Sequence, residues 1–141
     1  MSNKIQNPKS KLVIYTDGGA HGNPGPAAVG VVICSEKNEV IKKYSKFIGR
    51  ATNNQAEYQA VIYALERAKQ LKAERLDFYL DSEFIVQQLS RKFKIRDKNL
   101  ALLFVKIWNL SQDFKSINFF YIPREKNKEA DKLVNQTLHH Y

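Results

Sequence analysis

The hydrophobic and polar positions of the chain fall into blocks of two different periods. Residues 11–17 (KLVIYTD) are rich in β-formers and apolar on both alternating faces until the last position, the pattern of a central strand covered on both sides. A second apolar run covers residues 27–34 (AAVGVVIC), and a charged break at 36–39 separates it from residues 40–48 (VIKKYSKFI), which alternate as an outer strand does. From Thr52 the period becomes helical: Ala56, Ala60, Val61, Ala64, Leu65 and Ala68 recur on one face over about four turns, and Thr52 with Gln55 supplies a capping-box pair at the start. Residues 75–81 (RLDFYLD) read as another buried strand and 82–89 (SEFIVQQL) as a short helix. Then follow an irregular basic stretch at 91–98 (RKFKIRDK), a helix at 101–110, a strand at 117–122 and a last helix at 126–140, opened by the turn after Pro123. The order βββαβα(α)βα predicts an α/β fold on a mixed sheet, an antiparallel meander followed by strands joined through helices. No internal repeat, low-complexity tract or linker interrupts it, so one domain is expected over residues 11–141, behind a loose polar tail at 1–10.

Composition narrows the classes open to such a chain. At 141 residues and 43% hydrophobic content, it suits one domain that buries roughly 68% of its unfolded surface. No apolar run approaches the ~18 residues of a spanning helix, so a soluble protein without a membrane partner is expected. Cys34 is the sole cysteine and the start MSNKIQNPKS has no apolar stretch, which points to the reducing cytoplasm rather than to secretion. With 23 Lys+Arg against 14 Asp+Glu, the net charge of +9 favours a polyanionic partner, although charge alone does not separate nucleic-acid binders from other basic proteins.

Four carboxylates stand where solvated charge is not expected. Asp17 and Asp81 terminate the predicted buried strands, Glu57 lies on the apolar face defined by Ala60, Val61, Ala64 and Ala68, and Asp131 shares a face with Val134 and Leu138. Each has an ordinary reading: Asp17 as a turn opener, Asp81 as a helix N-cap, Glu57 as a first-turn acid facing the helix dipole. Jointly these readings weaken, because two strand ends and one helix start converge at one end of a sheet, and unpaired buried carboxylates are costly. Clustered oxygen donors, with no Cys cluster and no HxxxH spacing, suit Mg²⁺ or Mn²⁺ rather than zinc. The glycine-rich segment GGAHGNPGP matches no phosphate-cradling motif and leads into a strand, so it reads as a long turn between positions 18 and 26.

The strings YTDGGAHGNPGPAAVGVV, TNNQAEYQAVIYAL, YLDSEFIVQQL and IPREKNKEADKLVN, in this order and spacing, resemble type 1 ribonuclease H over nearly the whole chain. The resemblance implies a five-stranded mixed sheet of order 3-2-1-4-5 flanked by helices. It also implies metal-dependent hydrolysis of the RNA strand of RNA–DNA hybrids to 5′-phosphate and 3′-hydroxyl ends, by two divalent cations held by Asp17, Glu57, Asp81 and Asp131. In that pattern Asp17 bridges the two ions, Glu57 and Asp81 complete the site nearer the leaving group, and Asp131 helps hold the ion on the water side. Asn23, Asn53 and Asn54 resemble positions that touch ribose hydroxyls or base edges in the minor groove, while Arg50, Thr52 and Asn99 resemble a phosphate pocket for the DNA strand. The ordinary reading of the two adjacent asparagines is helix capping, and the two roles are compatible.

Three departures from the family pattern stand out. The loop before the last helix, IPREKNKE, carries no histidine; Arg124, Glu125 or the terminal His139 and His140 are the substitutes at hand, with His21 further from the pattern. The long basic handle is reduced to RKFKIRDK, where Lys92, Lys94 and Arg96 form either a small substrate grip or a solvated loop. Glu83 stands where many members have a glutamine that contacts the hybrid. Set against the enzyme is a non-catalytic hybrid-binding or double-stranded-RNA-binding module of the same fold, which has no reason to bury negative charge facing a polyanion. A nuclease domain cut from a reverse transcriptase fits less well with the initial Met and short tail. A monomer with no obligate protein partner is expected. With the four acids assigned to a metal site, ten acids face 23 bases, so the basic excess exceeds what the net charge conveys.

Overall fold

The computed structural model describes residues 11–91 and 94–141; the tail assigned to 1–10 and the candidate grip residue Lys92 lie outside them. Five strands, β1 (Lys11–Ala20), β2 (Gly25–Cys34), β3 (Val40–Ala51), β4 (Arg75–Leu80) and β5 (Ser116–Tyr121), form one sheet of order β3-β2-β1-β4-β5. β1, β2 and β3 make the antiparallel meander, and β4 and β5 run parallel to β1 and to each other, as the sequence order predicts. The helices are α1 (Asn53–Gln70), α2 (Glu83–Leu89), α3 (Lys98–Ser111) and α4 (Lys128–Leu138), the last preceded by a 3₁₀ turn at Arg124–Lys126.

Alternation along the central strand decides which helix each residue meets. Leu12 and Ile14 join the large core with Val61, Leu65 and Ala68 of α1 and with Phe78 of β4. Val13 packs on the other face with Val32, Cys34 and Ala130 of α4. By the same parity Asp17 falls on the α4 side. α1 begins where expected: the Thr52 hydroxyl accepts from the Gln55 amide at 3.1 Å, and the Gln55 side chain accepts from the Thr52 amide at 2.9 Å.

The long glycine-rich turn is the main correction. β1 continues three residues past Asp17, and Gly18, Gly19 and Ala20 pair with Val29, Ala28 and Ala27, so the reversal takes only residues 21–24. Gly18 is glycine because α1 crosses there: a Cβ on it would collide with the Ala56 carbonyl. Gly30 plays the same part for α4, where a Cβ would meet the Ala130 carbonyl oxygen. Two glycines that read as turn punctuation or as part of an apolar run are therefore points of close helix–sheet approach. Other boundaries shift by a few residues: β3 extends to Ala51, α3 starts at Lys98 because Asp97 caps it through the Leu100 amide at 3.0 Å, and the last helix is shorter than residues 126–140.

Candidate active site

Three carboxylates converge from three elements. Asp17 comes from β1, Glu57 from the second turn of α1 and Asp81 from the junction between β4 and α2, and one oxygen of each lies within 4.8 Å of the others. The ordinary readings of these acids do not hold. Asp17 is inside a strand rather than opening a turn, the first turn of α1 carries no acid, and the N-cap of α2 is Ser82, which accepts from the Ile85 amide at 3.3 Å. Asp131 is not in the tight trio, but it lines the same cleft as Asp17 and Glu57, together with Arg124, Asn53 and His21. It stands close enough to Asp17 to act on its ionisation.

The electrostatics describe a site short of positive charge. Burial pushes the Asp17 carboxyl up to about 8, with Asp81 and Asp131 adding repulsion. Burial also holds Glu57 well above the ordinary carboxylate range, reinforced by Asp17 and Asp81 and opposed in part by Arg124. Oε1 of Glu57 is buried without a hydrogen-bond partner. An orphaned carboxylate oxygen facing two more acids fits a hard divalent cation, and the oxygen-only donor set suits Mg²⁺ or Mn²⁺.

The raised Asp17 carboxyl makes stability depend on pH. Asp17 retains its proton in the metal-free folded state up to about pH 8 but loses it near pH 4 when unfolded, so between these values the folded state holds more protons. Its contribution to stability is therefore full below about pH 4 and is lost as the pH rises through about 8. Thermal melts in EDTA should show this group's contribution as a falling melting temperature across that window, and millimolar Mg²⁺ should reverse the fall. Melts that rise with pH in EDTA and ignore Mg²⁺ would contradict the assignment.

The remaining candidates divide into those tied to the cleft and those placed elsewhere. Asn23 in the β1–β2 turn accepts from the Asn53 amide at 2.9 Å, and the Asn53 side chain accepts from the Ala20 amide at 2.9 Å, so the two asparagines lock the turn to the start of α1. Neither caps α1, a role that Thr52 fills. Arg50, opposite Pro26 in the sheet register, and Asn54 are exposed beside this junction. Asn99 lies exposed in the first turn of α3, with Lys94 and Arg96 exposed just before it, and Glu83 is exposed at the start of α2. His139 and His140 stack edge-on at 5.6 Å beyond the end of α4; among the described residues His21 is the histidine lining the cleft, its Nε2 3.1 Å from the Leu138 carbonyl.

One residue escaped sequence reasoning. Asn127, 1% exposed, donates from Nδ2 to Asp81 Oδ2 at 2.8 Å and to the Thr16 carbonyl at 2.9 Å. Embedded in EKNKEAD, it looks like a solvated polar residue before a helix, and no local signal marks its burial.

Known proteins resemble the chain over this same stretch. A family model described as "Reverse transcriptase-like" matches residues 15–137. The chain is 38% identical over 145 residues to a protein named "Ribonuclease H" from Ehrlichia chaffeensis, covering 92% of this chain and 95% of that one. It is 39% identical over 129 residues to "Bifunctional protein Rv2228c" of Mycobacterium tuberculosis, covering 91% of this chain but 35% of that protein, so it spans about a third of the length of that curated relative. The solved structure of LC11-RNase H1 in complex with RNA/DNA hybrid superposes with a TM-score of 0.85 at 42% identity, covering 89% of this chain and 94% of that one.

Proposed function

The chain belongs to the type 1 ribonuclease H family, and on that footing we propose that it hydrolyses the RNA strand of RNA–DNA hybrids, leaving 5′-phosphate and 3′-hydroxyl ends. The observation that carries this reading is the convergence of Asp17, Glu57 and Asp81, with a buried oxygen left unpartnered, in a protein of net charge +9. Those three acids and Asp131 would hold two divalent cations, Mg²⁺ or Mn²⁺. When bound, such cations supply Lewis acidity toward a phosphodiester and toward the attacking water. The chain's own residues do the rest. The Asn23–Asn53 lock fixes the turn at the cleft mouth, where amide groups reach ribose hydroxyls and so tell RNA from DNA. Arg124 adds positive charge to the cleft wall, and by the family resemblance Arg50, Thr52 and Asn99 take DNA-strand phosphates. The protein acts alone, as a monomer in the cytoplasm.

The test is incubation with labelled RNA–DNA hybrid, double-stranded RNA and double-stranded DNA, each with and without Mg²⁺ or Mn²⁺. Metal-dependent cut products from the hybrid are expected; binding without cleavage of any duplex would favour the non-catalytic module and end the enzyme reading. Replacing both Lys94 and Arg96 with glutamine should raise KM and flatten the slope of log(kcat/KM) against log salt by roughly 0.9 for each phosphate no longer neutralised. An unchanged slope would make that segment a bystander.

A further inference from the structure

We propose that Asn127 is a positioning residue, whose buried amide sets Asp81 and the β1 segment carrying Asp17 in the relative placement that admits a divalent cation. The inference rests on the reading of the acidic cluster given above. An asparagine immediately before a helix ordinarily caps it, yet the side chain of Asn127 makes no capping bond to α4. It reaches instead to Asp81 and to the Thr16 carbonyl, 46 and 111 residues away in the chain. Its backbone carbonyl accepts from the Asp131 amide at 3.2 Å, the first turn of the helix that carries the fourth acid. One residue is thus bonded to three of the segments on which the carboxylates stand.

The chemistry of the amide suits this task. Both bonds are donated by Nδ2 to acceptors, so a flipped amide would turn Oδ1 against a carboxylate and a carbonyl. The orientation is therefore determined. Oδ1 is buried and unpartnered, a cost that an apolar residue filling the same space would avoid, which argues that the donor is retained for what it holds. A lysine could also hold Asp81, but its charge would compete with a cation; a neutral amide fixes the carboxylate while leaving its negative charge available. Glu57 needs no such tether, since α1 delivers it directly across Gly18.

The experiment measures Mn²⁺ binding calorimetrically to the full chain without nucleic acid, for the parent, Asn127→Ala and the isosteric Asn127→Asp, with melting curves in EDTA as a check of folding. Loss of the donor should weaken Mn²⁺ binding by roughly 10- to 100-fold. The Asp variant should do no better than Ala, despite matching the volume, because it presents an acceptor to Asp81. On hybrid, kcat should fall while KM stays near the parent value. In the parent, the Asn127 side-chain amide signals should exchange slowly and move with Mg²⁺ at the midpoint of the binding isotherm. That readout applies even if neither variant folds. Parental Mn²⁺ affinity in folded Asn127→Ala, or amide signals indifferent to Mg²⁺, overturns the inference. A parent that binds Mn²⁺ but cleaves no duplex ends the hydrolase reading alone, and a cleaving parent with an indifferent Asn127 ends the positioning role alone.

Discussion

Asp17→Asn should lower Mg²⁺-dependent cleavage of an RNA–DNA hybrid by at least roughly 10³-fold, about 4 kcal/mol of barrier, while leaving hybrid binding in Ca²⁺ near the parent level. The carboxylate sits between Asp81, Asp131 and Glu57, so its loss removes charge from the centre of the cluster rather than from its rim. In EDTA the sign reverses: the asparagine variant should be more stable than the parent, because the Asp17 carboxyl stays protonated in the fold up to about pH 8 but is free to ionise once the chain unfolds. That gap should widen from about pH 4 to about pH 8 and then level off, since only the parent releases a proton on unfolding within that window. A variant that keeps its turnover would remove Asp17 from the reacting centre. One that loses turnover and is also less stable in EDTA would show Asp17 to be a structural acid.

The second large effect concerns a residue without a side chain. Gly18→Ala should destabilise the protein by about 3 kcal/mol or more, because the added methyl meets the Ala56 carbonyl and, at 2.6 Å, the Glu57 amide. Neither is a flexible side-chain end, so relief requires α1 to lift off the sheet. At the next position, where the nearest atom to a Cβ is the Val134 Cγ1 at 3.5 Å, Gly19→Ala should stay within about 0.5 kcal/mol. Chemical denaturation of the pair decides the matter; equal effects at both positions would mean that the crossing is not tight. Lifting α1 also withdraws Glu57, so Mn²⁺ affinity should fall in Gly18→Ala well before the fold is lost.

The architecture was readable because each element's burial pattern is set by local period. β1 shows apolar residues on both faces because α1 and α4 cover both, and α1 announces itself with the Thr52–Gln55 box. The four acids were readable for the opposite reason, as charge at positions where the pattern requires apolar residues. Close approach between distant segments was not legible. Glycine has one letter for a turn and for a helix crossing, so Gly18 suggested too early an end to β1, and Gly30 passed as one more small residue in an apolar run. Asn127 was invisible for a related cause: its burial comes from partners 46 and 111 residues away, and nothing in its neighbours along the chain encodes them.

The origins of the four acids also impose an order in time. Asp17, Glu57, Asp81 and Asp131 enter during synthesis in that sequence, and Asn127, bonded to Asp81 and to the Thr16 carbonyl, enters only just before Asp131. A chain still being made can therefore bring Asp17, Glu57 and Asp81 together before Asn127 and Asp131 exist, and the four-acid cleft is complete only once α4 has docked. On the proposed reading the cation is held most tightly by the folded cluster, so Mg²⁺ should slow unfolding more than it speeds refolding.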